Sequence, residues 1–148
     1  MYIECYQGLN DKRYYVPVFV LSNRLELVFK INFLVDTGAS TTILSWNEVP
    51  YGTLETNLRE DRMYTAMGGS FKTFILPECS LFFYANTGIH NLAVGDLGLS
   101  NYLTVDGRLC PAVASVLGID VLNKFDISFS DDLERLFLTQ NDRHKLYI

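Results

Sequence analysis

The sequence predicts an all-β protein, and two observations carry this prediction. The first is a series of short apolar runs of strand length, at residues 14–22, 25–35, 79–85, 125–130 and 135–139. The second is the supply of 10 Phe and 9 Tyr, which favour strands, in a chain that is 49% hydrophobic. Residues 119–125 suit one or two helical turns. At 148 residues, we expect a single domain over residues 1–148.

Composition argues against several classes of partner. The net charge is −5 and the arginines are scattered, so no basic surface for nucleic acid is expected. No apolar run approaches the length of a membrane span, and the first residues do not have the pattern of a signal peptide. The cysteines, Cys5, Cys79 and Cys110, are odd in number and no two are close in sequence, so neither a disulfide framework nor a zinc site is indicated. We expect buried thiols in a reducing, cytoplasmic setting.

The first two apolar runs are predicted to form a hairpin with its turn at residues 22–24. Pro17 lacks an N–H, so it predicts an edge strand or a bulge for residues 14–22. The hairpin delivers the chain to the stretch FLVDTGASTTILS at residues 33–45, which carries the most chemical information.

In that stretch, Asp36 follows three apolar residues directly. Burying a lone charge is costly, so Asp36 is expected on a turn where other groups satisfy it. Gly38 allows a sharp turn and Thr37 supplies a hydroxyl. This is where a carboxylate would be placed for chemistry, although an ordinary Asx turn that ends a strand would have the same sequence.

The middle of the chain contains a surface loop at residues 45–63, with one short strand and with Trp46 as a core plug. Residues 63–76 are predicted to form a hairpin with Gly68 and Gly69 as the central turn residues. That hairpin is either a mobile flap or an ordinary surface hairpin. Polar loops are predicted around Val94. His90 and His144 are predicted to be plain surface residues.

The C-terminal third contains a second apolar run into a glycine, at residues 112–122. A turn at residues 131–134 separates the last two predicted strands, and residues 145–148 are a candidate edge strand. The order of an apolar strand, a glycine turn and a short helix-compatible segment occurs twice, at 33–45 and at 114–125.

Three features together resemble the retroviral-type aspartic proteases (retropepsins): DTGAS at 36–40, the glycine-tipped hairpin at 63–76, and VLGIDVL at 116–122. The strand pair at 125–139 is similar to one in the wider pepsin superfamily. The resemblance covers residues 14–139. It implies a closed, antiparallel acid-protease barrel with one short helix, and a homodimeric aspartic endopeptidase with one catalytic aspartate per chain.

The resemblance also implies roles for individual residues. Asp36 would be catalytic, with Thr37 locking the two loops together and Gly38 contacting substrate backbone. The substrate-binding residues would be Ala39, Ser40, Met67, Gly68, Gly69 and Gly118. The substrate would be a peptide or protein, and neither a cofactor nor a metal is implied. A pepsin-like mechanism needs two carboxylates, and the chain has no second D-T-G or D-S-G, so the resemblance implies that the second carboxylate comes from another subunit.

The sequence departs from the family pattern in two places. Ser40 and Ile119 stand where viral members often have an acidic residue and an arginine that pair. Ala39 replaces a serine usual in pepsin-like enzymes, which predicts activity at mildly acidic to near-neutral pH. The terminal segments 1–6 and 144–148 are candidates for a dimer interface.

Two other functions stay open from the sequence. One is a non-cleaving relative that dimerises or binds peptides. The other is a phosphate-handling enzyme of the actin and sugar-kinase type, which would need two large lobes.

Overall fold

The computed structural model describes residues 1–50, 58–66, 69–100, 103–105, 108–110 and 114–141. Within these ranges the chain is built from β-strands and one short α-helix, which confirms the all-β prediction. The strands are β1 (Tyr2–Gln7), β2 (Tyr14–Ser22), β3 (Leu27–Val35), β4 (Ile43–Ser45), β5 (Glu60–Ala66), β6 (Gly69–Ala85), β7 (Gly88–Ser100), β8 (Leu103–Val105), β9 (Arg108–Cys110), β10 (Val116–Leu117), β11 (Phe125–Ser130) and β12 (Arg135–Gln140). A 3₁₀ turn covers Trp46–Glu48, and helix α1 covers Ile119–Leu122.

These strands belong to one sheet with the order β11-β12-β1-β2-β3-β10-β4-β7-β6-β8-β9, and β5 pairs with β6 beside this path. Within the described residues two pairings are parallel, β3 with β10 and β4 with β7, and the others are antiparallel. The long strand β6 also pairs with β1 and β2. The mostly antiparallel arrangement agrees with the expectation, while closure of the sheet into a barrel stays a prediction.

The core lies directly beneath the Asp36 stretch. Phe33, Leu44 and Leu117 are fully buried, and they come from the three strands that meet there, β3, β4 and β10. Alternation in β2 buries Val16, Val18 and Val20 on the same face, as period-2 patterning requires. The strands that carry the candidate site are therefore anchored by their own apolar side chains.

The first hairpin forms as predicted, with two corrections. Strand β3 begins at Leu27 instead of residue 25, because the turn extends to Glu26, which takes a left-handed φ of 54° and donates its N–H to the Asn23 carbonyl. The prediction of an edge strand is wrong, since β2 is an interior strand. Pro17 lies where the neighbour of β2 changes, after the last β1 partner at Tyr15 and before the first β6 partner at Val18. A missing N–H there interrupts neither set of pairings.

The region after residue 76 differs most from expectation. Residues 79–85 are the second half of the single strand β6, and Pro77 and Glu78 form an irregularity within it, with Glu78 at φ 52°. The predicted polar loops around Val94 are wrong, because residues 88–100 form strand β7 and pair along β6. Asn91 and Asp96 of β7 are exposed, while Leu97 and Leu99 are buried.

The histidine and tryptophan predictions have different outcomes. His90 is half-buried in β7, with its ring 6.4 Å from the Phe83 ring and 5.8 Å from the Phe125 ring, so the surface prediction is wrong. Burial lowers the pKa of His90. Trp46 is partly buried and packs against the core, as predicted. His144 and the candidate edge strand at 145–148 lie outside the described residues.

The glycine-tipped hairpin is present as the antiparallel pair β5 and β6. Its register differs from the prediction by one residue: Gly69 is paired with Ala66 and is the first residue of β6, so it is not a central turn residue. Met67 and Gly68 lie outside the described residues. The pairing of β8 with β9, in which Val105 is opposite Arg108, was not predicted.

The ends of the described chain lie together. Strand β1 pairs with β12 on one side and with β2 and β6 on the other, so both of its edges are used within this chain. A role of residues 1–6 in a dimer interface stays a prediction. Strands β11 and β12 form the predicted hairpin over the turn at 131–134. Within the described ranges, no helix is long and apolar enough to cross a membrane.

Candidate active site

Asp36 lies on a tight turn at the end of β3, and three hydrogen bonds shape that turn. The Asp36 N–H donates to the Leu117 carbonyl (3.2 Å), and the Ala39 N–H donates to the Asp36 carbonyl (3.2 Å). The Gly38 N–H donates to Asp36 Oδ1 at 2.8 Å, which makes the turn an Asx turn. Asp36 is half-buried. The two interpretations of this stretch are therefore compatible: an Asx turn holds the carboxylate and also leaves it partly accessible.

The parallel pairing of β3 with β10 brings the two repeated segments side by side. Leu34 is opposite Val116 and Val35 is opposite Leu117, so the chain after β10 passes directly beneath the Asp36 turn. The Ile119 N–H donates to the Ala39 carbonyl at 2.8 Å. The weak internal repeat thus corresponds to two adjacent turns in space.

Gly118 is buried at the contact between these turns. A Cβ built there would lie 2.6 Å from the carbonyl carbon of Thr41, 2.8 Å from its oxygen and 3.0 Å from the Ala39 oxygen. All three are backbone atoms, so only glycine permits this approach. The resemblance implies a substrate-binding role for Gly118, whereas its buried position puts it underneath the loop.

The outer side of the loop is open. Thr37, Gly38 and Ser40 are exposed, and Ala39 is half-buried. Within the described part of the chain the Thr37 side chain makes no hydrogen bond, and Ser40 Oγ lies 3.5 Å from Thr41 Oγ1. Ile119 is 41% exposed. Residues 36–40 therefore form one continuous accessible edge with an apolar neighbour.

Asp120 and Thr42 belong to the site although the sequence patterns did not identify them. The Asp120 carboxylate accepts the Thr42 N–H (3.0 Å to Oδ1 and 3.1 Å to Oδ2), the Thr42 hydroxyl (2.7 Å) and the Val121 N–H (2.9 Å). The buried Thr42 hydroxyl also accepts the Gly118 N–H at 2.9 Å. The signal that could have found Asp120 is its place in the VLGIDVL motif, two residues after the glycine.

Two buried serines support the site from below. Ser115 Oγ accepts the Ser45 N–H at 2.9 Å, and the Ser115 carbonyl accepts the Leu34 N–H at 2.9 Å. Glu48 Oε1 accepts the Ser115 N–H at 3.2 Å. Strands β3, β4 and the start of β10 are thereby joined by polar contacts inside an apolar core, which fixes their relative register.

Other kinds of reactive group are less well placed. Burial raises the pKa of both Cys5 and Cys79 to about 12, so neither thiol has the thiolate character of a nucleophile. Within the described residues, no group of three or more His, Cys, Asp or Glu side chains is placed to hold a metal ion. A cavity of about 390 Å³ opens beside the loop, and Thr42, Asp120, Asp96 and Lys124 lie in its wall.

Six of the predicted site residues lie together where the Asp36 turn contacts the Gly118 turn: Asp36, Thr37, Gly38, Ala39, Ser40 and Gly118. Of the predicted flap residues, Gly69 begins β6, and Met67 and Gly68 are outside the described residues. The site described is therefore the half that carries the carboxylate.

Comparison with known proteins gives likenesses among solved structures. The chain is similar to a solved viral enzyme, "EIAV protease complexed with the inhibitor HBY-793". The identity is 17% and the TM-score is 0.46, and the match covers 80% of this chain and 92% of that chain. No family model matches the chain, and no curated protein is a significant match. At this identity and score, the likeness says nothing about activity.

Proposed function

We propose that this chain is an aspartic endopeptidase that acts as a homodimer, with Asp36 as its catalytic carboxylate. The observation that carries the proposal is the Asp36 turn. Its carboxylate is half-buried at the end of a core strand, and the backbone of Leu117 and Ile119 holds the turn from behind. Thr37, Gly38 and Ser40 are exposed and leave the front of the turn accessible. A carboxylate held in this way suits proton transfer to a bound substrate.

The dimer follows from the chemistry and the sequence together. Peptide hydrolysis of this type uses two carboxylates, and the chain contains one D-T-G motif. A two-fold axis beside the turn would bring Asp36 of each chain together, because a symmetric interface presents the same patch twice. The exposed Thr37 hydroxyl is the group that would bind the partner's loop.

The mechanism then needs these two carboxylates and one water. Two carboxylates about 3 Å apart share one proton, which is established behaviour for aspartic-protease dyads. The ionised group takes a proton from the water, whose oxygen attacks the peptide carbonyl carbon. The protonated group donates to the carbonyl oxygen. Collapse of the tetrahedral intermediate breaks the C–N bond: the carboxyl group that took the water proton gives it to the leaving amine, and a hydroxyl of the intermediate returns its proton to the other carboxylate. The dyad is thereby singly protonated again.

Two residues shape the expected specificity, and a third shapes the pH range. Ser40 and Ile119 give this edge of the site no charge, so apolar or neutral substrate side chains are favoured beside it. Ala39 provides no hydroxyl to stabilise the ionised dyad. Since loss of such a hydrogen bond favours protonation, we expect activity between mildly acidic and near-neutral pH. A rate maximum below about pH 3 would contradict this.

The first test is cleavage of a diverse peptide pool by the wild type and by Asp36→Asn between pH 4 and 7. The amide of this variant keeps an oxygen for the Gly38 N–H, so the turn should survive while the rate falls by about 10³-fold or more. The matched control is Asp132→Asn, which changes an exposed aspartate in the β11–β12 turn. Equal cleavage by the wild type and Asp36→Asn would reject the proposal, and an intact pool with the wild type would favour the non-cleaving relative.

A mixing experiment tests the dimer. When chains exchange freely, wild-type activity should fall as the square of the wild-type fraction as Asp36→Asn chain is added at constant total concentration. When Asp132→Asn chain is added instead, the total activity should stay unchanged. A linear fall would show that each chain acts alone and would contradict the shared site.

A further inference from the structure

Thr42 joins the end of the Asp36 loop to Asp120. Its backbone N–H and its hydroxyl both donate to the Asp120 carboxylate, at distances of 2.7–3.1 Å, although the two residues are 78 positions apart in sequence. The same hydroxyl accepts the Gly118 N–H. One carboxylate thereby holds the point at which the loop becomes strand β4.

The start of the loop is held by the same short segment. The Asp36 N–H donates to the Leu117 carbonyl, and the Ile119 N–H donates to the Ala39 carbonyl. Leu117 and Ile119 contribute only backbone atoms to these contacts, whereas Asp120 contributes its side chain. A substitution at Asp120 can therefore remove a contact that holds the Asp36 loop while the backbone contacts of Leu117 and Ile119 are kept.

We propose that Asp120 is a positioning residue for the Asp36 carboxylate. This inference rests on the proposed function, because positioning matters when two carboxylates must meet in one geometry. Displacement of a reacting group by about 1 Å costs roughly 10²-fold in rate. Asp120 holds the loop end through Thr42, and the loop in turn sets where Asp36 lies in the dimer.

The surroundings of Asp120 make this testable by chemical rescue. Asp120 is exposed on one side and lies in the wall of the cavity of about 390 Å³. In Asp120→Ala, water can reach the freed Thr42 donors, so the fold should persist while the loop loses its fixed partner. The same opening admits formate, which supplies a carboxylate without a backbone attachment.

The experiment compares Asp120→Ala with Asp96→Ala in the full-length chain. Asp96 lies in the wall of the same cavity, but its carboxylate accepts the Glu78 N–H and does not contact the loop. We expect kcat of Asp120→Ala to fall by about 10²-fold with KM changed by less than about threefold. Sodium formate should restore kcat by about tenfold or more relative to equal sodium chloride. Wild type and Asp96→Ala should not respond to formate.

Three results would overturn the proposal: an unchanged kcat in Asp120→Ala, a rise in KM alone, or a lost activity that formate does not restore in a folded variant. The last would indicate a structural role only. If the wild type does not cleave, the proposed function is rejected, whereas the inference about Asp120 is not. Amide hydrogen exchange then tests whether Asp120 holds the Asp36 loop in place. Asp120→Ala should then speed exchange at Gly38 and Ala39 about tenfold compared with Asp96→Ala, and equal rates would reject it.

Discussion

The Asp36 turn and the Gly118 turn are built from similar sequence, yet they treat their aspartates in opposite ways. In both, an apolar strand leads into a glycine with an aspartate two positions away, and the two strands are parallel neighbours. Within the described residues, the Asp36 carboxylate accepts one hydrogen bond, from the Gly38 N–H. The Asp120 carboxylate accepts bonds from the Thr42 N–H, the Thr42 hydroxyl and the Val121 N–H.

The difference shows that the number of hydrogen-bond donors around a carboxylate, and not its local sequence, decides whether the carboxylate has a structural role or is a candidate catalytic group. A carboxylate with most of its acceptor capacity used holds chain segments together. One with spare capacity, partly buried on a supported turn, remains available to a proton or a ligand. Substitutions at the contact between the two turns should therefore affect the free energy of unfolding and the activity to different extents.

The largest effect on stability is expected from Gly118→Ala. The new Cβ would lie 2.6–3.0 Å from backbone atoms of Thr41 and Ala39. Backbone atoms cannot avoid this clash by a change of rotamer, as a side chain could. We expect the free energy of unfolding to fall by about 3 kcal/mol. For a chain of this size that corresponds to a decrease of roughly 10 °C in Tm, which thermal unfolding followed by circular dichroism would measure.

Gly98→Ala is the matched control for this change. Gly98 lies in β7, and a Cβ there would meet the Thr73 side chain at 3.6 Å or more, which is ordinary contact. Its Tm should change by about 2 °C or less. If both variants lose the same stability, the close approach of the two turns is not what requires glycine.

A smaller effect is expected from Thr42→Val, which keeps the side-chain shape and removes the hydroxyl. The Asp120 carboxylate then loses a donor and the buried Gly118 N–H loses its acceptor. We expect a loss of about 2 kcal/mol in the free energy of unfolding, because a buried group is left without a partner. Urea denaturation would measure it.

Thr42→Ser separates the hydroxyl from the methyl group. It retains both hydrogen bonds and removes one buried methyl, so it should cost about 1 kcal/mol, less than Thr42→Val. A larger loss for serine than for valine would mean that packing, and not the polar contact, dominates at Thr42.

Local patterns were enough to predict much of the fold. Strands β2 and β11 have the predicted bounds, because continuous apolar or alternating runs flanked by turn residues leave few alternatives. Asp36 was identified for a related reason: a carboxylate directly after a core strand must be satisfied by its surroundings, which makes it conspicuous in the sequence.

Features set by pairing between distant segments were not predictable. Pro77 in β6 and Gly95 in β7 resemble loop residues, but pairing between β6 and β7 absorbs them as irregularities. The hairpin register was off by one at Gly69, since register depends on the partner strand. Asp120 escaped notice because two of its donors belong to Thr42, which is distant in sequence and is brought near by the pairing of β10 with β4.

The smallest effect on stability, and the sharpest contrast with Gly118, is expected from Gly38→Ala. Gly38 is exposed and is not among the described glycines with a positive φ, so alanine fits its backbone. A Cβ there would lie 3.1 Å from Asp36 Oδ1, so the carboxylate must shift by a few tenths of an ångström. The free energy of unfolding should change by about 0.5 kcal/mol or less, whereas kcat/KM should fall roughly threefold to tenfold. The same substitution would then cost mainly stability in the Gly118 turn and mainly activity in the Asp36 turn. A Gly38→Ala variant as unstable as Gly118→Ala would instead mean that both turns serve the scaffold alike.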